Sequence, residues 1–252
     1  MSRYTGLVCP RCRRVERGRL VAHELQPGAE ALVCPGCGAR HPLLQGIPVV
    51  LRDLETWRAS QPEPAPPGAL APPGGSLPAR VRELVAALPG PLLDLGCGTG
   101  ALCGRADVTG LDARLEPLRA HPGRALVGDA HDPPFRAGAF ASVLLLNLLD
   151  ACREPLLVLQ QADALLAPGG ALLLTTPWTW SDAVTPPDQR LDGDELAAIL
   201  QGRPNRTGLR LDHALERRED ELTWRLHTGP RLVHEYRCEL FLSRKPAGAQ
   251  RS

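Results

Sequence analysis

From residue 79 onward the chain alternates two kinds of apolar pattern. "ARVRELVAAL" (79–88) spaces its apolar residues three and four apart, as one face of a short helix requires. "PLLVLQQADALL" (155–166) also reads as a helix and runs into the stop "APGG" (167–170). Around them lie apolar runs too short for helices: "PLLDL" (91–95), "VTGLD" (108–112), "RALVGDA" (124–130), "ASVLLLNLL" (141–149) and "ALLLTTP" (171–177). Nearly continuous apolar runs of this length suit strands covered on both faces. Strands alternating with helices predict a parallel sheet with right-handed crossovers. The end, "ELTWRLHTGPRLVHEYRCELFLSRK" (221–245), predicts two strands about the turn "TGP", an antiparallel edge hairpin.

Before residue 79 the rhythm is different. Residues 1–55 form a compact segment marked by cysteines, and residues 56–78 are dense in proline and glycine without apolar periodicity. The second stretch predicts a linker, semi-rigid where proline dominates. The remaining span, 79–246, is the α/β domain.

Composition mainly narrows the choices. With 252 residues, 43% hydrophobic and 23% charged, the chain has the make-up of an ordinary soluble protein of one or two domains. A net charge of +1 without a basic tail gives no hint of nucleic-acid or membrane binding. No uninterrupted apolar stretch reaches the roughly 18 residues of a membrane span, so none is expected. The start, "MSRYTGLVCP", lacks the apolar core of a signal peptide, and a cytoplasmic protein is the expectation. In that setting cysteines paired as C-x-x-C point to metal rather than to disulfides.

Cys9 and Cys12 lie in "CPRC", Cys34 and Cys37 in "CPGC", with 21 residues between the pairs. Each knuckle offers two thiolates to one tetrahedral ion, and the spacer can form a hairpin that joins them. Four thiolates leave no position for water, so the expected zinc is structural. The ribbon followed by "HPLLQGIPVVL" (41–51) resembles the small proteins that bind and activate methyltransferases. That resemblance implies an activator-like module fused to its client. A generic zinc ribbon that reads nucleic acid is the alternative.

"LLDLGCGTG" (92–100) ends a strand at Asp94 and continues with Gly96, Cys97, Gly98 and Gly100. Missing side chains let the backbone turn tightly and approach a ligand. A carboxylate just before the first glycine would repel a pyrophosphate but suits the ammonium of a methionine moiety. The pattern resembles the first motif of class I S-adenosylmethionine-dependent methyltransferases. It implies a Rossmann-like α/β fold whose mostly parallel seven-stranded sheet ends in an antiparallel hairpin. It also implies S-adenosyl-L-methionine bound by Asp94 and the glycine loop. Asp112, ending the second strand, would take the ribose hydroxyls. Asp129 and Ala130, after the third, would flank the adenine. Asn147, after the fourth, is a further cofactor contact. One departure stands out: only seven residues separate Gly100 from Val108. The helix normally found there shrinks to a turn or so, which would expose the methionine end.

"DPPF" (132–135) resembles a methyltransferase tetrapeptide that holds planar nitrogens, but it follows the third strand rather than the fourth. After the fourth stands "NLLD" (147–150), which argues against methylation of an adenine amino group or a glutamine amide. Residues 147–193 resemble the mercaptohistidine N-methyltransferases and, more distantly, the carnosine N-methyltransferases. The match runs through Asn147–Asp150, the "APGG" turn, and Pro177, Thr179, Trp180, Thr185, Pro186 and Gly193. Trp178, Arg190 and Asp192 depart from those families' tyrosine, tryptophan and glycine. The resemblance implies N-methylation of a small, imidazole-like acceptor, positioned by Asn147, Asp150, Trp178 and Trp180. A neutral imidazole already carries a lone pair at pH 7, so alignment rather than a strong base is the requirement. RNA or protein methylation, with the ribbon recruiting the substrate, is the rival activity. A non-catalytic cofactor-binding scaffold is the rival outside enzymes. His131, His213, His227 and His234 have no motif context and read as surface or packing residues.

Overall fold

The computed structural model of the protein describes residues 4–16, 19–61, 73–229 and 231–248. The proline-rich core of the expected linker, residues 62–72, lies outside them. The N-terminal module contains a hairpin of β1 (Arg14–Glu16) and β2 (Arg19–Val21). Its second sheet is antiparallel, built from β3 (Gln26–Pro27), β4 (Ala31–Val33), β5 (Arg40–Leu44) and β6 (Ile47–Pro48). Helix α1 (Leu54–Ser60) follows, with Asp53 capping the backbone N–H groups of Glu55 and Thr56. Part of the stretch that reads as linker is therefore helical.

After α2 (Ser76–Ala87) come β7 (Leu92–Leu95), β8 (Val108–Asp112), α3 (Leu115–Leu118), β9 (Arg124–Val127) and β10 (Phe140–Leu146). Then follow α4 (Pro155–Leu165), β11 (Leu166–Thr176), α5 (Gly193–Leu200), β12 (Ala214–Gly229) and β13 (Leu232–Arg244). One seven-stranded sheet has the order β12-β13-β11-β10-β7-β8-β9. The five strands from β11 to β9 are parallel, β13 is antiparallel to β11, and β12 pairs antiparallel with β13. This is the mostly parallel Rossmann-like sheet with a C-terminal antiparallel hairpin.

The apolar runs are continuous because successive residues feed two cores. Leu93, Leu95, Val143, Leu145, Leu172 and Leu174 enter one cluster, while Leu92, Leu144, Leu146, Ala171 and Leu173 enter another. The second face is covered by α2 through Leu77, Val81 and Val85. The first is covered by α4, α5 and the N-terminal module, whose Leu7, Leu25, Leu32 and Val50 join the same cluster. The module also extends the sheet at its β9 edge. Val49 bridges Val127 in parallel, and the Val50 N–H donates to the Val127 carbonyl at 2.9 Å.

"DPPF" is the other half of this seam. Leu7 bridges Phe135, the Val8 N–H donates to the Pro134 carbonyl, and Arg13 donates to the Pro133 carbonyl. Arg13 and Arg52 both pair with Asp132. The tetrapeptide docks the module, which accounts for its place after the third strand of the parallel set.

"APGG" does not lie between helix and strand as a free turn. Leu166 already pairs with Phe140, and the register shifts before Ala171 pairs with Ser142. The two glycines sit in that irregularity, within β11.

Candidate functional site

Parallel strands end on one side of a sheet, so β7, β8, β9 and β10 deliver their carboxyl ends to a common edge. A cavity of about 720 Å³ runs along it. Asp94, Gly96, Cys97, Gly98, Asp112, Asp129, Ala130 and Asn147 all line it. Gly100, Asp150, Trp178 and Trp180 do not belong to the lining.

The glycine loop shapes the floor. A Cβ on Gly96 would stand 2.6 Å from Leu148 Cδ1, so this glycine permits close packing. At Gly98, with φ at 53°, nothing lies within 4 Å of a Cβ position, and a side chain there would fill open cavity. The Gly98 N–H donates to Asp112 Oδ2 and the Arg114 N–H to Asp112 Oδ1, both at 2.9 Å. The Asp112 carboxylate is thereby fixed, and each oxygen keeps further acceptor capacity. No helix follows Gly100. Residues 101–107 form turns, as the short spacing predicts.

Asp94 is 1% exposed, and its Oδ1 has no partner. Burial, reinforced by the negative charge of Asp112, pushes its carboxyl up to about 8. Asn147 takes the left-handed conformation, with φ at 55°, a backbone that asparagine tolerates better than most residues. Its Oδ1 accepts from Thr175 Oγ1 at 2.7 Å, which orients Nδ2; that atom is buried and unpartnered. At the β9 end, burial acts to raise the Asp129 pKa, but hydrogen bonds from the His131 side chain and backbone leave it lowered overall. His131 Nε2 accepts from the Glu154 N–H at 3.2 Å, so the ring proton sits on Nδ1 and is donated to Asp129 Oδ1 at 2.7 Å.

Among the lining residues that sequence reasoning left out are His131, Pro73, Trp224 and Leu226. His131 lies two residues past an implicated aspartate, a signal that could have found it. The others depend on docking at long range. β13 pairs with β11 only through Glu239–Arg244, so residues 222–229 and 231–238 overhang the carboxyl edge. Gly74 and Arg225 exchange backbone hydrogen bonds at 2.9 and 3.0 Å, holding Pro73 and the hairpin together above the cavity. Trp224 stands opposite Tyr236, the ring centroids 5.3 Å apart, and its Nε1 is buried without a partner. His213, by contrast, is a packing residue, held between Asp163 and Ser243.

Asp150 and the tryptophan loop form a brace beside the cavity. Asp150 Oδ2 accepts from the Thr179 N–H and hydroxyl at 2.9 and 2.7 Å, and Thr185 Oγ1 donates to the Cys152 carbonyl at 2.7 Å. The two matched segments, 147–150 and 177–186, are thus bonded to each other. Trp178 donates to Glu239 at 3.1 Å and lies 6.0 Å from Trp180; both pack against the main core cluster. Two of the departures have structural roles of their own. Arg190 donates to the Thr185 carbonyl, and Asp192 caps α5.

The four paired cysteines gather in the module, with all Sγ atoms within 4.8 Å of one another. Cys9 and Cys37 lie 3.8 Å apart, Cys12 and Cys34 3.5 Å. Four thiolates about 2.3 Å from one tetrahedral ion sit roughly 3.8 Å apart, so the cluster fits zinc. His23 Nδ1 and His41 Nε2 approach Cys12 and Cys9 at 3.4 and 3.6 Å, where each can orient a thiolate.

The carboxyl-edge cavity is thus lined by one acid or amide from each of four strand ends. The sequence matches the methyltransferase domain family over residues 75–227, and the chain belongs to that family. It is an S-adenosylmethionine-dependent methyltransferase. No curated protein sequence matches the chain. Solved structures with a similar chain path include a protein studied for the conversion of a disulfide into a thioacetal during echinomycin biosynthesis. It is 18% identical, with TM-score 0.49 over 68% of this chain and 82% of that one. Another is in the complex of a methyltransferase activator with a putative methyltransferase from Haloferax volcanii, at 14% identity and TM-score 0.48, over 69% and 92%. A possible histamine N-methyltransferase from Thermotoga maritima is 16% identical, with TM-score 0.47 over 68% and 87%. These likenesses bear on no particular substrate. Among the described residues no helix is long and apolar enough to cross a membrane.

Proposed function

We propose that the cavity holds S-adenosyl-L-methionine along the strand ends, and that the protein methylates a nitrogen of a small, imidazole-like acceptor. The observation that carries the cofactor assignment is the pair of unpartnered buried atoms at the β7 and β10 ends, Asp94 Oδ1 and Asn147 Nδ2. Buried polar groups are almost always satisfied, so two such atoms on residues lining one cavity support a ligand there. Asp94 takes the ammonium, Asp112 the two ribose hydroxyls, and Asp129 with Ala130 the adenine. His131 holds Asp129 ionised and oriented. When bound, the cofactor supplies a sulfonium methyl that is already a strong electrophile. The chain's task is to align acceptor and methyl and to exclude water, which can lower a barrier by about 7–11 kcal/mol at best. Asn147 presents Nδ2 to the cofactor from the β10 end, and the tryptophan loop braces that strand end from outside the cavity. The small-acceptor reading rests on the matched segments 147–150 and 177–186, which Asp150 and Thr179 bond to each other.

In the same reading the four cysteines hold structural zinc, and the module acts as a built-in activator. Trp57 of α1 supports this, because its Nε1 donates to the Ala113 carbonyl at 2.7 Å, beside Asp112. An RNA acceptor is the second reading. It draws on the groove where Arg11, Arg40, Arg52 and Arg58 gather, though Glu30, Asp53 and Glu55 share it.

Labelled S-adenosylmethionine incubated with the protein and with separate metabolite, RNA and protein fractions tests the acceptor class. Label is expected in the metabolite fraction; label confined to RNA or protein overturns the small-acceptor reading. Asp112→Ala removes charge-assisted bonds to two hydroxyls and is expected to weaken cofactor binding about a hundredfold. Unchanged affinity in a calorimetric titration would remove the ribose assignment.

A further inference from the structure

The loop that follows the glycines is too short to wall the methionine end of the cavity by itself, and residues from the opposite edge of the sheet join the lining. The hairpin of β12 and β13 sits beyond β11, so its overhang reaches the cavity from the β10/β7 side, away from Asp129 at the β9 end. Trp224 and Leu226 are the residues it contributes, and Trp224 packs with Leu102, from the shortened loop, against one core cluster. The hairpin is not free to swing away there. Ser76 and Thr223 exchange hydrogen bonds at 2.9 and 3.0 Å beside the Gly74–Arg225 bridge.

Three lining side chains present a buried polar atom without a partner: Asp94 Oδ1, Asn147 Nδ2 and Trp224 Nε1. One accepts and two donate. An amino acid offers an ammonium, which donates, and a carboxylate, which accepts. Asp94 answers the first. The second needs a donor; the arginines of the lining, Arg114 and Arg153, flank Asp112 and the Asp129–His131 end instead, which leaves Asn147 Nδ2 at the β10 end and Trp224 Nε1 on the hairpin. An indole N–H can only donate, so the partner that Trp224 Nε1 lacks within the chain is an acceptor.

Building on the cofactor assignment above, we propose that Trp224 recognises the α-carboxylate of S-adenosylmethionine through its indole N–H, and that the hairpin replaces the missing helix as the wall of the methionine subsite. The residue makes the site specific for a cofactor that keeps its carboxylate.

The test compares S-adenosylmethionine with decarboxylated S-adenosylmethionine, which retains the ammonium and sulfonium and lacks only the carboxylate. Calorimetric titrations of the full chain and of Trp224→Phe give four affinities. The wild type is expected to prefer the carboxylated ligand at least about tenfold, the worth of a hydrogen bond to a charged group. Trp224→Phe keeps an aromatic ring in the wall. It should lose that preference while binding the decarboxylated ligand as the wild type does. Equal weakening toward both ligands would make Trp224 a packing residue and overturn the proposal. So would a preference that survives in the variant, or a wild type that does not discriminate. A wild type that binds neither ligand would instead remove the cofactor assignment, and the proposal with it.

Discussion

Replacing Cys9 by serine is expected to abolish zinc loading and to lower the melting temperature of the whole chain on the order of 10 °C. Cys9 is fully buried, and its sulfur belongs to the four-thiol cluster. Structural zinc contributes roughly 10 kcal/mol or more of apparent binding energy to small zinc domains, and that energy is folding energy. The module cannot lose it in isolation. Leu7, Leu25, Leu32 and Val50 share a core cluster with Leu93, Leu111, Leu126 and Phe140 of the large sheet. Unfolding the module therefore strips one face of the sheet and uncovers the β9 edge, at about 3–5 kcal/mol, with each kcal/mol moving the midpoint about 2–4 °C. Calorimetric melting with metal analysis reads both effects. A chelator should shift the wild type in the same direction and leave the variant unmoved. One zinc per chain retained by Cys9→Ser, or an unchanged midpoint, would refute the structural metal site.

Asp94→Asn is expected to separate stability from binding. The unfolded chain releases this proton near the ordinary value of 3.8, whereas the folded protein without ligand holds it to about 8. Between those values the folded state binds more protons than the unfolded one, so stability falls as pH rises through the window. An asparagine never ionises. The variant should melt with the wild type near pH 4 and above it at pH 8. Cofactor binding should move the other way, weakening about a hundredfold at pH 8 as a buried ammonium loses its counter-charge. Wild-type affinity should rise about tenfold per pH unit toward 8, because binding must expel the Asp94 proton. Above 8 it should fall, as the ligand's amino group, which ordinarily titrates near there, loses its own. Affinity without pH dependence, or tight binding by the variant, would show that Asp94 does not face the ammonium.

The parts of the fold that were legible are those in which sequence-local chemistry decides. β7, β10 and β11 show as apolar runs because both sheet faces are covered, and Asp94, Asp112 and Asp129 stand out because each ends such a run. The four cysteines were legible for the same reason. What could not be read depends on contacts distant in sequence. Helix α5 begins at Gly193, where a Cβ would collide with Glu239, a residue of β13. Asp150 reads as a substrate contact from its motif; its Oδ2 accepts from Thr179, 29 residues on, and the residue stands outside the cavity lining. Trp178 and Trp180 attract notice as aromatics in a proline-rich loop, yet the aromatic in the cavity wall is Trp224. Nothing in "ELTWRL" marks it, because its position follows from pairing between Arg225 and Gly74 across the described end of a linker.

The central claim is that the carboxyl-edge cavity binds S-adenosylmethionine with its amino-acid end at Asp94 and its base at Asp129. The most direct measurement is a crystal structure of the full chain with S-adenosylhomocysteine. The account predicts the ligand lying along the strand ends, its ammonium on Asp94, its ribose hydroxyls on Asp112 and its adenine between Asp129 and Ala130. A nucleoside bound elsewhere, or in the cavity with its ends reversed, would contradict it.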